Sequence, residues 1–171
     1  MTDISTLVGK TLTFCSNIGG GPGYHEDVIA FLTTDNELYH LYHGQDCCES
    51  VYLEDLDGDL QDLVGSPIVV AREDSSPELE AKADLDRGSS EHYDSHTWTF
   101  YNFATNKGYV NMRWLGESNG YYSESVDFVQ IEFDESSVFT FNYICASSTA
   151  YIDPKYNHMN RGKINWQNKS P

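Results

Sequence analysis

The amino-acid sequence predicts an α+β fold that is mainly antiparallel β-sheet, built from meander hairpins, with one short helix and room for a second surface helix. Aromatic residues make up 13% of the 171-residue chain, including 12 tyrosines, and aromatic side chains favour strands. Short runs that alternate between apolar and polar residues, separated by Gly, Asn and Asp, are typical of strands joined by tight turns. Because 39% of the residues are hydrophobic, the chain can bury one sizeable core.

The first predicted strands form a hairpin after a glycine-rich turn. Thr11–Cys15 alternates and predicts a strand, and the turn IGGGPGYHED follows it. Asp27–Thr34 has the apolar content of a buried strand. Asp35-Asn36 then marks a tight turn into a further strand, Glu37–His43.

The next segment predicts two short strands with the short helix between them. The strands are Ser50–Glu54 and Ile68–Ala71. The helix is expected from about Asp59 to Val64, with Asp57 or Asp59 as its N-cap, and Gly65 with Pro67 ends it.

Residues 72–94 are rich in charge and serine, so we expect an acidic insertion in the domain. It is either a long exposed loop or carries one surface helix around Pro77–Leu85. The strands that follow are expected to form a three-stranded meander in which Asn119-Gly120 suits a type I′ turn. Its strands, and one more strand after them, are predicted at Thr97–Ala104, Tyr109–Leu115, Tyr121–Phe133 and Val138–Cys145.

Charge divides the chain into an acidic body and a basic tail. The whole chain carries 27 acids against 10 Lys and Arg, a net charge of −17. Residues 153–171 contain one acid and four bases, which leaves residues 1–152 with a net charge of −20. We expect residues 1–152 to form a single domain and the tail to be flexible. The field of the body repels nucleic acid and anionic membranes and attracts basic partners, so we expect no direct nucleic-acid binding by the body.

The sequence begins without a charged segment followed by an apolar stretch, so no secretory signal is recognised. No apolar run approaches the ~20 residues of a membrane span. The four cysteines are therefore expected as reduced thiols in the cytoplasm. For the adjacent pair, Cys47 and Cys48, an internal disulfide is not expected, since neighbouring side chains on an extended backbone point apart.

Metal binding and catalysis are the alternatives to a binding role. His40, His43, Cys47 and Cys48 supply four potential zinc ligands within nine positions. However, His40 and His43 lie three apart on a predicted strand and so point to opposite faces. The acidic run after Glu54 does not match the ligand spacing of a calcium-binding EF-hand loop. No nucleophile signature is present, and acidic surroundings raise the pKa of a thiol. We therefore expect no enzymatic activity and no cofactor, with zinc at the four His and Cys residues, and a cation site other than an EF-hand at the acidic run, left open.

Two sequence blocks resemble a family of small uncharacterised proteins of bacteriophages and related bacterial elements. The blocks are HGQDCCESVYLEDLDGDLQDLVGSPIVVARE and WTFYNFATNKGYVNMRWLGESNGYYSESVDFVQI, and the resemblance covers roughly residues 38–132. It implies a viral or mobile-element context and supplies no activity or catalytic residue.

In that context the leading hypothesis is a DNA mimic. Carboxylates on a rigid sheet can replace phosphates and occupy the basic nucleic-acid site of a host protein, such as a CRISPR effector or a restriction enzyme, in the cytoplasm of the bacterial host. A metal-stabilised module or metalloenzyme and a phage structural or assembly protein remain alternatives, and the acidity can also serve solubility alone. The candidate partner-binding residues are Asp46, Glu49, Glu54, Asp55, Asp57, Asp59, Asp62, Glu73, Asp74, Glu78 and Glu80.

Overall fold

The computed structural model describes residues 2–19, 27–77 and 95–131. Within them the chain forms eight β-strands and two single-turn 3₁₀ helices, Ile4–Leu7 and Leu60–Leu63. The strands are β1 Leu12–Asn17, β2 Val28–Thr33, β3 Leu38–Tyr42, β4 Glu49–Gly58, β5 Val70–Pro77, β6 Ser95–Ala104, β7 Tyr109–Ser118 and β8 Asp127–Ile131. None of the helices in the described ranges is long and apolar enough to cross a membrane.

The strands form two four-stranded antiparallel sheets. Sheet I has the order β1-β2-β3-β8, and sheet II has the order β4-β7-β6-β5. Mainly antiparallel sheet was predicted and is confirmed. The predicted meander is right for β6 and β7 but wrong for its third strand, because β8 leaves sheet II and pairs with β3 in sheet I.

Two observations explain where β8 goes. In the segment before it, Gly120 has a φ of +78°, whereas Asn119 is not among the positive-φ residues. A type I′ turn needs positive φ at both central positions, so no tight hairpin forms here. Phe128 of β8 instead stacks on Tyr39 of β3, with ring centroids 5.3 Å apart. Core packing therefore decides the partner of this strand.

The main core lies between the two sheets. Alternate side chains of each strand point inward, as the period of two requires. Phe31 of β2 meets Phe103 of β6 with ring centroids 5.3 Å apart, which joins sheet I to sheet II. Trp114 and Tyr101 of sheet II are also fully buried in this core. Aromatic side chains thus fill the space between the sheets.

Two predicted elements are corrected. The expected helix from Asp59 to Val64 is only the 3₁₀ turn Leu60–Leu63, although Asp59 does cap it by accepting a hydrogen bond from the Gln61 amide. No α-helix forms in the described ranges, so the fold there is all-β.

The predicted acidic insertion at residues 72–94 also begins later than expected. Residues 72–77 belong to β5 and pair with β6 along their whole length. Residues 72–75 are exposed, and such polar residues resemble a loop in sequence because β5 is an edge strand. The possible helix around Pro77–Leu85 begins on the last residue of β5 and otherwise lies outside the described residues, as do Val138–Cys145 and the tail 153–171.

The hairpin of β2 and β3 forms as predicted. Asn36 adopts a φ of +60°, a conformation that Asn tolerates better than most residues. The Thr33 amide donates to the Glu37 carbonyl at 2.9 Å, which closes a three-residue loop. A three-residue loop that ends in an αL residue is a common connection of β-hairpins.

Candidate interaction surface

A run of exposed carboxylates lies along the second half of β4 and at the helix cap that follows it. A bulge between Leu53 and Asp55 leaves Glu54 outside the regular pairing with β7. Beyond the bulge, Leu56 points to the core, whereas Asp55 and Asp57 lie opposite Arg113 and Asn111 on the outer face of sheet II. Glu54, Asp55, Asp57 and the helix cap Asp59 are all exposed. Three acids on β4 and the cap just after it therefore place four exposed carboxylates within six residues.

A second acidic position lies on the opposite edge of the same sheet. Asp74 of β5 pairs in register with Phe100 of β6 on the outer face. Three interstrand spacings separate β5 from β4, so the two acidic edges are about 14 Å apart. Arg72 lies 3.2 Å from the Asp74 carboxylate, and both side chains are exposed.

Between these edges the outer face of sheet II presents no exposed carboxylate among the described residues, since Glu117 on this face is buried beside His96. Arg113 lies there, with its guanidinium carbon 5.0 Å from the centre of the Trp98 ring. Trp98 and Leu115 form a small buried cluster together with Tyr52 and Phe100. The predicted acidic surface is therefore a carboxylate row at β4 and the single carboxylate of Asp74 at β5, with an aromatic and cationic strip between them.

Two of the predicted surface acids are placed differently, and a third, Glu73, is exposed but on the inner face of its strand. Glu49 is turned inward: its side chain is only 3% exposed and its Oε1 accepts the Asp46 amide at 2.5 Å. Asp62 is half-buried against Gly108, where its Oδ2 lies 2.4 Å from the position a Cβ would take. Glu73 points to the inner face of β5, opposite Tyr101. Asp46 is exposed as expected, and Glu78 and Glu80 lie outside the described residues.

Glu73 lies at a polar cleft of about 400 Å³ that the sequence did not predict. The described residues that line it are mostly hydroxyl-bearing, and no Lys or Arg is among them. Glu124 on its wall accepts hydrogen bonds from Thr97 Oγ1 at 2.5 Å and Ser118 Oγ at 2.6 Å. Burial raises the pKa of the neighbouring Tyr101 hydroxyl, and the Glu73 carboxylate adds to the shift. Such a lining favours neutral or cationic groups over anions.

The zinc candidates do not converge. His40 lies on the face of β3 opposite the main core, and burial lowers its pKa to about 4. Its Nε2 has no hydrogen-bond partner among the described residues. His43 donates from Nδ1 to the Ser125 carbonyl at 2.7 Å, and its Nε2 faces Glu49 at 3.3 Å. In the described part of the chain no group of three or more His, Cys, Asp or Glu side chains is placed to hold a metal ion.

Cys47 and Cys48, in contrast, do come together. Residues 43–48 lie between β3 and β4, and Cys48 has a φ of +65°, outside the extended region. The two sulfur atoms are 3.3 Å apart, and Tyr122 Oη lies 3.0 Å from Cys47 Sγ. The sequence argument that their side chains diverge assumed an extended backbone and is wrong on that point.

Fold and site together define a two-sheet antiparallel β-protein with an acid-lined edge. Residues 5–128 match DUF7448, a domain of unknown function, and the chain belongs to this family. The expectation of an uncharacterised family is thereby confirmed. Comparison with curated proteins found no match, and comparison with solved structures found none either.

Proposed function

We propose that this protein binds the basic nucleic-acid site of another protein and inhibits it as a DNA mimic. The observation that carries the proposal is the row Glu54, Asp55, Asp57 and Asp59. These carboxylates are exposed, and none forms an ion pair with another described residue. Charge-assisted contacts to Lys and Arg of a partner are therefore open to them.

The spacing of this row suits the task of replacing phosphates. Asp55 and Asp57 are two residues apart on a strand, which places them about 7 Å from each other. Their backbone is held by pairing with β7, so little conformational entropy is lost when a partner binds. Asp74 on the far edge adds a second contact region about 14 Å away.

The charge of the whole chain acts in the same direction. A net charge of −17 attracts a basic surface and accelerates its encounter with the row. The same field opposes direct binding of nucleic acid by the domain. The partner class is therefore a protein with a basic groove for DNA or RNA.

The biological setting of the proposal comes from the resemblance of the two sequence blocks to bacteriophage proteins. We extend the proposal accordingly to a phage-encoded inhibitor that acts in the bacterial cytoplasm on a nucleic-acid-handling or defence protein, with CRISPR effectors and restriction enzymes as the first candidates. Mimicry suits such targets because a single acidic surface competes with nucleic acid of any sequence.

The test is affinity capture from a bacterial lysate on the immobilised full chain, followed by elution with duplex DNA and then with salt. A nucleic-acid-binding protein that is released by DNA is the expected result. Proteins that DNA does not displace, or capture of further copies of this chain, would contradict mimicry. In the second case an assembly role would take its place.

Surface variants show whether captured proteins bind the proposed row. Asp55→Asn with Asp57→Asn removes two carboxylates from it, and Asp3→Asn with Asp35→Asn removes two exposed ones elsewhere. Exposed ion pairs contribute about 0.2–1 kcal/mol each, so the first double variant should bind about 2- to 30-fold more weakly. The second has the same net charge and should bind like the unmodified chain.

A further inference from the structure

The loop ahead of β4 brings two adjacent cysteines into contact at the surface. Cys47 and Cys48 are both exposed, and their sulfur atoms lie 3.3 Å apart. The contact depends on the bend at Cys48, whose φ of +65° turns its side chain back toward Cys47. Asp46 and Glu49 support the bend, because the Glu49 carboxylate accepts the Asp46 amide and Asp46 Oδ1 accepts the Cys47 amide.

We propose that Cys47 and Cys48 form a reversible disulfide between adjacent residues, which makes this loop a two-electron redox site for small-molecule disulfides. The inference is independent of the proposed function, since it rests on the sulfur atoms and not on the carboxylate row. A disulfide has an S–S distance of about 2.05 Å, so the sulfurs must approach by about 1.3 Å. The loop is already bent, and both thiols are open to solvent.

The reaction is thiol–disulfide exchange in two steps. One cysteine thiolate attacks a small disulfide RSSR, which forms a mixed disulfide and releases RS⁻. The second thiolate then attacks the protein sulfur of that mixed disulfide and releases the second RS⁻. The two protein thiols each lose a proton as they form thiolates, and the two RS⁻ ions take up two protons. In sum, two protein thiols are oxidised to one disulfide while RSSR is reduced to two RSH.

Tyr122 connects this site to the rest of the molecule. Its hydroxyl lies 3.0 Å from Cys47 Sγ, and this contact raises the pKa of Tyr122 to about 12. The same residue lines the polar cleft beside Glu124. The hydrogen bond between the two cysteines raises the pKa of the Cys48 thiol, which favours its protonated form at neutral pH. When the disulfide forms, Cys47 no longer has a thiol to pair with the Tyr122 hydroxyl at the edge of the cleft.

Peptide mapping of the full chain tests the proposal. The protein is equilibrated with mixtures of reduced and oxidised glutathione, free thiols are blocked under denaturing conditions, and the chain is cut before each Asp. Cys47 and Cys48 then fall in one fragment, residues 46–54, apart from Cys15 in residues 3–26 and Cys145 in residues 134–152. A fragment 46–54 that lacks two hydrogen atoms and carries no blocking group is the expected result. Two blocked thiols, or two attached glutathiones, even in fully oxidised glutathione, would overturn it.

Matched variants separate this site from general thiol reactivity. Cys47→Ser and Cys48→Ser should each stop at a mixed disulfide with glutathione. Tyr122→Phe keeps both thiols and removes one hydrogen bond to the dithiol form, so the equilibrium should shift about 2- to 10-fold toward the disulfide. Buried Cys15 is the internal control and should remain a thiol.

Phenylarsine oxide provides a readout without oxidation, because trivalent arsenic binds two neighbouring thiols at once. The reduced chain should bind one equivalent at residues 46–54, and each single serine variant should lose it. Equal binding by the single variants would contradict the pairing of the two sulfurs.

Discussion

Gly58→Ala should destabilise the fold more than Gly9→Ala or Gly120→Ala, which replace two other glycines with positive φ. Gly58 ends β4 with a φ of +105°, and a Cβ there would lie 2.2 Å from the backbone oxygen of Tyr109. An alanine costs about 1–3 kcal/mol for the backbone conformation alone. The clash adds the loss of one or two β4–β7 hydrogen bonds at about 1 kcal/mol each, because backbone atoms must move. We expect a total of about 2–5 kcal/mol.

Urea unfolding followed by tryptophan fluorescence measures this cost. Gly9→Ala and Gly120→Ala are the controls: both positions have positive φ, of +85° and +78°, and nothing lies within 4 Å of an added Cβ. They should lose only about 1 kcal/mol each. With a slope of roughly 2 kcal/mol/M, Gly58→Ala should unfold at about 1 M lower urea than the controls. Equal midpoints for the three variants would contradict close packing of β4 against Tyr109.

Three further predictions follow from buried groups. His40→Gln should remove a pH dependence of the free energy of unfolding. Burial holds the pKa of His40 in the folded chain at about 4, below the unfolded value of 6.5, so the unmodified chain should lose about 2 kcal/mol of stability between pH 7.5 and 5. A loss of the same size in the variant would contradict this. Asp27→Ala should cost about 2–4 kcal/mol in urea unfolding, because the buried Leu53 amide and the Asn17 side-chain amide lose their acceptor; a cost under 1 kcal/mol would be contrary. Gly116→Ala should lower the midpoint of thermal unfolding, since its Cβ would lie 2.7 Å from Glu124, and an unchanged midpoint would show that the loop yields.

Local features of the fold could be predicted because short-range chemistry decides them. The turn at Asp35-Asn36 follows from a residue that tolerates positive φ, and the cap at Asp59 follows from a carboxylate placed before a helical turn. The exposed acids of β4 follow from their charge. In each case the deciding contacts lie within a few residues of one another.

Long-range features could not be predicted from one sequence. The pairing of β8 with β3 depends on Phe128 reaching Tyr39, almost 90 residues away, and nothing in the local pattern records that contact. The bend that brings Cys47 to Cys48 depends on Glu49, whose side chain turns inward to His43. Its charge alone would predict an exposed side chain. The extension of β5 was hidden because an edge strand with an exposed face resembles a loop.

The acids of β4 and β5 have a second physical role that competes with partner binding. Both strands are edges of sheet II, and charged side chains on an edge prevent pairing with the edge of another molecule. If this were their whole purpose, any acid of equal exposure would serve as well. A partner site, in contrast, requires Asp55 and Asp57 at their particular positions.

The most direct test of the central proposal is therefore a comparison of two variants of equal charge. Columns of Asp55→Asn/Asp57→Asn and of Asp3→Asn/Asp35→Asn are loaded with the same bacterial lysate and developed with a salt gradient. The proposal predicts that proteins displaced by duplex DNA elute from the first column at clearly lower salt, while the second column behaves like the unmodified chain. Identical elution from both columns would show that only net charge is recognised and would contradict a DNA mimic built on β4.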